Sequence, residues 1–129
     1  MLEDSVAFSG YSVNDQSKAM NFYNTVLGLT VKEDQMGLHL EFKNGHQVFL
    51  YQKDDHEPAS FTVLNFVVDN IDNAVDSLVA KGVSFERYAN MPAPQDERGI
   101  LRGRSANMGP DIAWFKDPAG NILALLQQA

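Results

Sequence analysis

The stretch Val13-Asn14-Asp15-Gln16-Ser17-Lys18-Ala19-Met20-Asn21-Phe22-Tyr23-Asn24-Thr25-Val26-Leu27-Gly28 decides the fold, because the chain returns to it as Val68-Asp69-Asn70-Ile71-Asp72-Asn73-Ala74-Val75-Asp76-Ser77-Leu78-Val79-Ala80-Lys81-Gly82. Val13, Asp15 and Ala19 map onto Val68, Asn70 and Ala74 at a constant offset of 55, and Gly28 maps onto Gly82 after one deletion. In the first copy, Ala19, Met20, Tyr23, Val26 and Leu27 fall at spacings of three and four, which places them on one helical face. Asp15 or Ser17 can cap that helix and Gly28 ends it. In the second copy, Ile71, Ala74, Val75, Leu78 and Val79 repeat the spacing over Ile71 to Lys81, with Gly82 at the close. A duplicated unit of this kind packs as two equivalent halves.

Outward from these helices the pattern changes to strands. Ser5 to Val13 is rich in β-branched and aromatic residues and stops at Asn14-Asp15. Leu29 to Glu33, Leu38 to Phe42 and Gln47 to Tyr51 form a meander, broken at Met36-Gly37 and Asn44-Gly45. The charged run Lys53-Asp54-Asp55-His56-Glu57-Pro58 reads as a linker. Phe61 to Val68 and Val83 to Tyr88 are then expected as strands on either side of the second helix. The segment Asn90 to Asn107, with Pro92, Pro94, Gly99 and Gly103, supports only a short strand at Gly99 to Arg104. Ile112 to Lys116 and Asn121 to Leu126 close the chain as two strands joined by the turn Asp117-Pro118-Ala119-Gly120. The strand ends also match, since Phe42-Lys43-Asn44 lines up with Phe115-Lys116-Asp117 and Gln52 with Gln127. The expected architecture is α+β. Two tandem βαβββ units, residues 5–52 and 61–127 with a linker over 53–60, form a curved mixed sheet with an open trough.

The composition bounds the function. The 129 residues carry 10 Lys plus Arg against 17 Asp plus Glu, a formal charge of −7, and no Cys. With 44% apolar and 21% charged residues, disorder and fibres are excluded. The acidic surface repels phosphate backbones and anionic lipid, which argues against nucleic acid and membrane partners. The absence of Cys excludes disulfides, thiolate zinc sites, iron-sulfur clusters and thiol nucleophiles. Met1-Leu2-Glu3-Asp4-Ser5 lacks the basic start of a signal peptide, and no apolar run is long enough to span a bilayer. A cytoplasmic location is the expectation.

A strand-helix-three-strand unit, used twice, resembles the vicinal oxygen chelate superfamily of glyoxalases, bleomycin-resistance proteins and extradiol dioxygenases. The resemblance covers nearly all of residues 1–129, as one domain. It rests on Val13-Asn14-Asp15, on Phe22-Tyr23-Asn24-Thr25-Val26-Leu27-Gly28-Leu29, and on Trp114-Phe115-Lys116-Asp117-Pro118-Ala119-Gly120-Asn121. It implies a ligand trough, a homodimer and, in metal-dependent members, His, Glu or Gln ligands to a divalent ion at four strand positions. Here those positions fall at Phe8, at Phe49 or Leu50, at Val63 and at Ala124, none of them a metal donor. No metal or other cofactor is therefore expected at the usual place. A displaced metal site could draw only on His39, Glu41 and His46, since His56 lies in the linker.

The pocket residues are chosen on the same basis. Trp114, with Phe8, Phe49, Phe61, Phe66 and Tyr11, supplies an aromatic wall for a planar or amphipathic compound. Strand alternation turns Phe8 and Gly10 toward the trough and Ala7, Ser9 and Tyr11 toward the helix. By the same parity Val63, Asn65 and Val67 face the ligand, with Asn65 the polar contact and Ala124 beside it. Arg98, Arg102 and Arg104 form a basic cluster, from which Arg102 and Arg104 are candidate clamps for an anionic group. Glu41, Asp111, Tyr11, Tyr51 and Tyr88 are the candidates for a base or nucleophile in catalysis without metal, and none forms a paired-carboxylate or Ser/His/Asp arrangement. The reading is a small-molecule binding protein in the mould of glyoxalase and bleomycin-resistance proteins, working without the usual metal. The alternative is a lyase, isomerase or dioxygenase with a displaced metal or a side-chain acid and base.

Overall fold

The computed structural model of the protein describes residues 1–128. The chain divides into two compact units, Met1–Pro58 and the stretch from Ala59 onward. The first opens on a short turn (Leu2–Asp4) and contains β1 (Ser9–Val13), α1 (Gln16–Met20), a π-helical segment (Asn21–Val26), β2 (Thr30–Glu33), β3 (Leu38–Glu41) and β4 (Gln47–Gln52). The second contains β5 (Thr62–Val67), α2 (Ile71–Ala80), β6 (Leu101–Arg102), β7 (Asp111–Lys116) and β8 (Ile122–Gln127). Each unit builds its own four-stranded sheet, in the orders β1-β4-β3-β2 and β5-β8-β7-β6. In both, the first strand runs parallel to the last and the other pairs are antiparallel. The chain is thus α+β, with the βαβββ unit present twice.

The repeat persists at the level of single hydrogen bonds. Asp15 Oδ1 accepts from the Lys18 N–H at 3.0 Å, and Asn70 Oδ1 accepts from the Asn73 N–H at 3.0 Å. Both are N-caps that satisfy donors the first helical turn leaves unpaired. The Gln16 N–H donates to Gln52 Oε1 at 2.8 Å, and the Ile71 N–H donates to Gln127 Oε1 at 3.0 Å. The end of the last strand therefore tethers the start of the helix in each unit. Gly28 (φ 74) and Gly82 (φ 92) end the helical segments in the left-handed region, where a Cβ would be strained.

The first helix departs from the regular spacing expected of it. After Met20 it widens into the π-helical segment, with the Leu27 N–H donating to the Phe22 carbonyl at 2.9 Å. The wider turn lets the consecutive residues Phe22 and Tyr23 both be buried, their rings edge-on with centroids 5.3 Å apart. Tyr23 is fully buried and its hydroxyl meets that of Tyr11 at 2.8 Å. The helix-side face of the first sheet is completed by Val13, Leu38, Leu40, Val48 and Leu50, all buried. In the second unit Ala113, Phe115, Leu123 and Leu125 are buried, as are Ile71 and Val75 of α2.

One expected strand does not form. Val83 to Tyr88 makes only an isolated bridge, Phe85 to Phe115, and a bond from the Glu86 N–H to the Trp114 carbonyl at 2.8 Å. The Gln95 side chain explains why. Its Oε1 accepts from the Tyr88 N–H at 2.8 Å and its Nε2 donates to the Glu86 carbonyl at 3.2 Å, taking the backbone groups that a ladder would need. The edge position falls instead to β6, inside the expected Gly99 to Arg104 window. The final turn is held by buried Asp117, whose Oδ1 accepts from the Ala119 and Asn121 N–H groups, both at 2.9 Å.

Candidate functional site

The register fixes which side chains occupy the face of each sheet away from its helix. In the first unit Gly10 pairs with Phe49 and His39 with Phe49, so Phe49 shares a face with His39, while Leu50 is fully buried on the other. Phe49 stacks on Tyr51 with centroids 5.8 Å apart and 21° between planes, and lies 5.1 Å from the His39 ring. Phe8, just ahead of β1, is 67% exposed and Met36 is 74% exposed. Phe8, Met36, His39, Gln47, Val48 and Phe49 line a hollow of about 270 Å³. Tyr11 does not belong to this wall, because its hydroxyl is bonded to Tyr23 on the helix side.

His39 is fixed by the turn before its strand. The pairing of Glu33 with Leu38 leaves residues 34 to 37 as the connection, which brings Asp34 beside His39. Asp34 Oδ1 accepts from the N–H groups of Met36 at 2.9 Å and Gly37 at 3.2 Å, and Oδ2 lies 2.9 Å from His39 Nε2. The Met36 N–H, opposed by burial and reinforced by the His39 ring and the Gly37 N–H, holds the Asp34 carboxyl below the usual carboxylate range. Asp34 did not stand out in the sequence, and Met36 did so only as part of the Met36-Gly37 break. Asp34 with a glycine three residues later is an Asx-turn signature, and it was the available signal.

In the second unit Trp114 pairs with Ala124, and Asn65 pairs with Ala124 from the other side, so these three share a face with Val67 and Leu126. Trp114 Nε1 donates to Thr62 Oγ1 at 3.2 Å, and its ring meets Tyr88 edge-on at 5.6 Å. Asn65 is exposed and Val67 is 65% exposed, whereas Ala124 is fully buried. Val63 sits half-buried in a bulge between Thr62 and Leu64. Phe66 pairs with Leu125, which puts it on the helix side and removes it from the aromatic wall, while Phe61 is 67% exposed. Tyr88 Oη is buried without a hydrogen-bond partner among the described residues, and burial, with a contribution from Glu86, pushes its phenol up.

The arginines are drawn into ion pairs. Arg102 places Nη2 2.7 Å from Asp72 Oδ1 and 3.0 Å from Asp96 Oδ2. Arg98 reaches the same Asp72 at 2.9 Å and also pairs with Asp76. Arg104 Nη1 lies 3.5 Å from Asp111, a carboxylate that is only 4% exposed. The Arg102 guanidinium, opposed by burial, holds the Asp72 carboxyl below its usual range, and Asp72 in turn raises Arg102 further. Burial works against ionisation of Asp96, but the Ile100 and Arg98 N–H groups and Arg102 outweigh it and keep that carboxyl low. The cluster ties the segment carrying β6 to α2, a contact in which Asp72, Asp76 and Asp96 complement the arginines. Among the described residues no three His, Cys, Asp or Glu side chains gather to hold a metal ion; Glu41 pairs with Lys32 at 3.2 Å and His39 with Asp34.

Two βαβββ units, each with a polar-edged aromatic sheet face, define a class of α+β folds to which sequence comparison gives a family. The chain belongs to the glyoxalase/bleomycin resistance protein/dioxygenase superfamily, whose family model matches residues 5–125. Among solved structures it is similar to TnmS3, an antibiotic binding protein from Streptomyces sp. CB03234, at 24% identity over 98% of each chain and a TM-score of 0.67. It is also similar to a glyoxalase family protein from Enterococcus faecalis (17% identity, 98% of this chain and 99% of that one, TM-score 0.66). A glyoxalase/bleomycin resistance protein/dioxygenase from Alicyclobacillus acidocaldarius matches at 17% identity over 97% of this chain and 92% of that one, with a TM-score of 0.66. Among curated proteins no sequence matches. At the four positions where the resemblance implies metal ligands, Phe8, Phe49 or Leu50, Val63 and Ala124, the side chains carry no donor atom. No helix among the described residues is long and apolar enough to cross a membrane.

Proposed function

We propose that the protein binds a small organic molecule on the aromatic face of its first sheet, without the superfamily's usual metal. The observation that carries this reading is the first-unit hollow. Its wall of Phe8, Met36 and Phe49 leaves two large apolar side chains more than 60% exposed beside a cavity of about 270 Å³. That volume lies just below the usual ~300 to 1,000 Å³ of small-ligand pockets and suits one or two fused rings. The second unit carries a similar combination on its own sheet, where Trp114, Asn65 and Val67 share one face. The antibiotic-binding neighbour supports a small organic ligand. Arg102 and Arg104, held by carboxylates, act as struts in this account instead of ligand clamps. The protein acts in the cytoplasm, as a homodimer.

The test is equilibrium dialysis of the purified protein against a panel of planar aromatic compounds. Saturable binding by the wild type, weakened about tenfold in Phe49→Ala, is expected, since loss of one stacked ring removes roughly 1.4 kcal/mol. Binding unaffected by Phe49→Ala would place the ligand elsewhere.

A further inference from the structure

We propose that the first-unit hollow selects a conjugated ring bearing an acidic hydroxyl, a phenol or an enol, and that Nδ1 of His39 takes the hydroxyl proton. The inference rests on the reading that this face binds small rings and names the ligand class. Its basis is the hydrogen bonding of Asp34. One carboxylate oxygen is occupied by the Met36 and Gly37 N–H groups, and the other faces His39 Nε2 at 2.9 Å. A carboxylate only accepts, so Nε2 carries the proton and Nδ1 of the neutral imidazole presents a lone pair. The His39 ring makes no second hydrogen bond among the described residues, and it lines the hollow together with Phe8 and Phe49. The arrangement is a base oriented by a carboxylate at the edge of an aromatic wall, the pairing that general acid-base sites use.

The proton balance is simple. The ligand O–H bond breaks, its electron pair stays on oxygen, and the proton moves to Nδ1. The product is an oxyanion beside an imidazolium whose other N–H remains on Asp34. The surrounding charges favour this. Lys32, opposite His39 on β2, and Glu41, two residues along β3, neutralise each other at 3.2 Å. Gln47 and Phe49 of β4 are neutral, Tyr51 stacks on Phe49, and Asp34 is left as the net charge facing the imidazolium.

The experiment compares para-nitrophenol with para-nitroanisole, which keeps the ring and lacks the hydroxyl. Binding is read by dialysis and ionisation of the bound phenol by its visible absorbance. The wild type is expected to bind the phenol at least tenfold more tightly and to ionise it at a pH below its solution midpoint. His39→Gln, with its folding checked by far-ultraviolet circular dichroism, is expected to lose both the preference and the ionisation. Asp34→Asn should diminish both. Equal binding of the two probes by the wild type overturns the inference and leaves the ring-binding reading standing; binding of neither overturns both. A preference that survives in His39→Gln and in Asp34→Asn also overturns the inference.

Discussion

Removing Asp72 should reveal that the arginine cluster is a strut between α2 and the segment that carries β6. Asp72 accepts from Arg98 at 2.9 Å and from both terminal nitrogens of Arg102, at 3.2 and 2.7 Å, with its side chain 45% exposed. An exposed pair contributes ~0.2 to 1 kcal/mol, and a bidentate contact shared by two arginines belongs at the upper end, so Asp72→Ala should cost about 1 to 2 kcal/mol. The double-mutant cycle with Arg102→Ala should return a coupling of about 1 kcal/mol, the Arg98 share remaining outside it. Urea unfolding followed by Trp114 emission reads both values. The pH dependence has a definite sign. The Asp72 carboxyl is held below its ordinary value in the folded protein. Its contribution is therefore complete above the unfolded value near ~3.9 and is lost as pH falls through the folded one. The penalty of Asp72→Ala should shrink in acid and in high salt. A coupling indistinguishable from zero, or a penalty that does not shrink in acid, would refute the strut.

Gly37→Ala should destabilise the first unit by about 2 kcal/mol or more and weaken ring binding, as measured by urea unfolding and dialysis. A Cβ at this position, where φ is 154, would lie 2.2 Å from the Leu50 carbonyl oxygen, and moving it disturbs Met36 beside it. The two duplicated glutamines should differ under substitution by alanine. Gln127→Ala should cost about 1 kcal/mol, because the Ile71 N–H it satisfies is partly buried, and Gln52→Ala about half as much, because water reaches the exposed Gln16 N–H. Calorimetric melting of the two variants is the check.

The repeat was legible because each of its marks has a local cause. Asp15 caps a helix, Gly28 and Gly82 accept positive φ, and alternation marks the strands. These are interactions within a few residues of one another, or periodicities, and the sequence displays both. The tether from Gln52 and Gln127 to the helix starts was visible only as a matched pair of letters. The rest depended on contacts between distant residues. Nothing in Val83 to Tyr88 announces that Gln95 will occupy its backbone, so a run rich in strand formers was read as a strand. Tyr11 and Phe66 joined the aromatic wall on composition, although strand alternation already turned Tyr11 toward the helix, and the pairing register turns Phe66 the same way. Arg102 looked available because its partner Asp72 lies thirty residues away on a helix. His39 was weighed as a metal ligand, whereas the turn at Asp34 gives it a carboxylate instead.

The central claim is that a small ring compound binds the face of the first sheet that carries Phe8, His39 and Phe49. An amide NMR titration of nitrogen-labelled protein with para-nitrophenol tests it most directly. Saturable shifts concentrated on residues 8–10, 36–41 and 47–51 are expected. Shifts confined to residues 98–104, or none up to the solubility of the probe, would contradict the account.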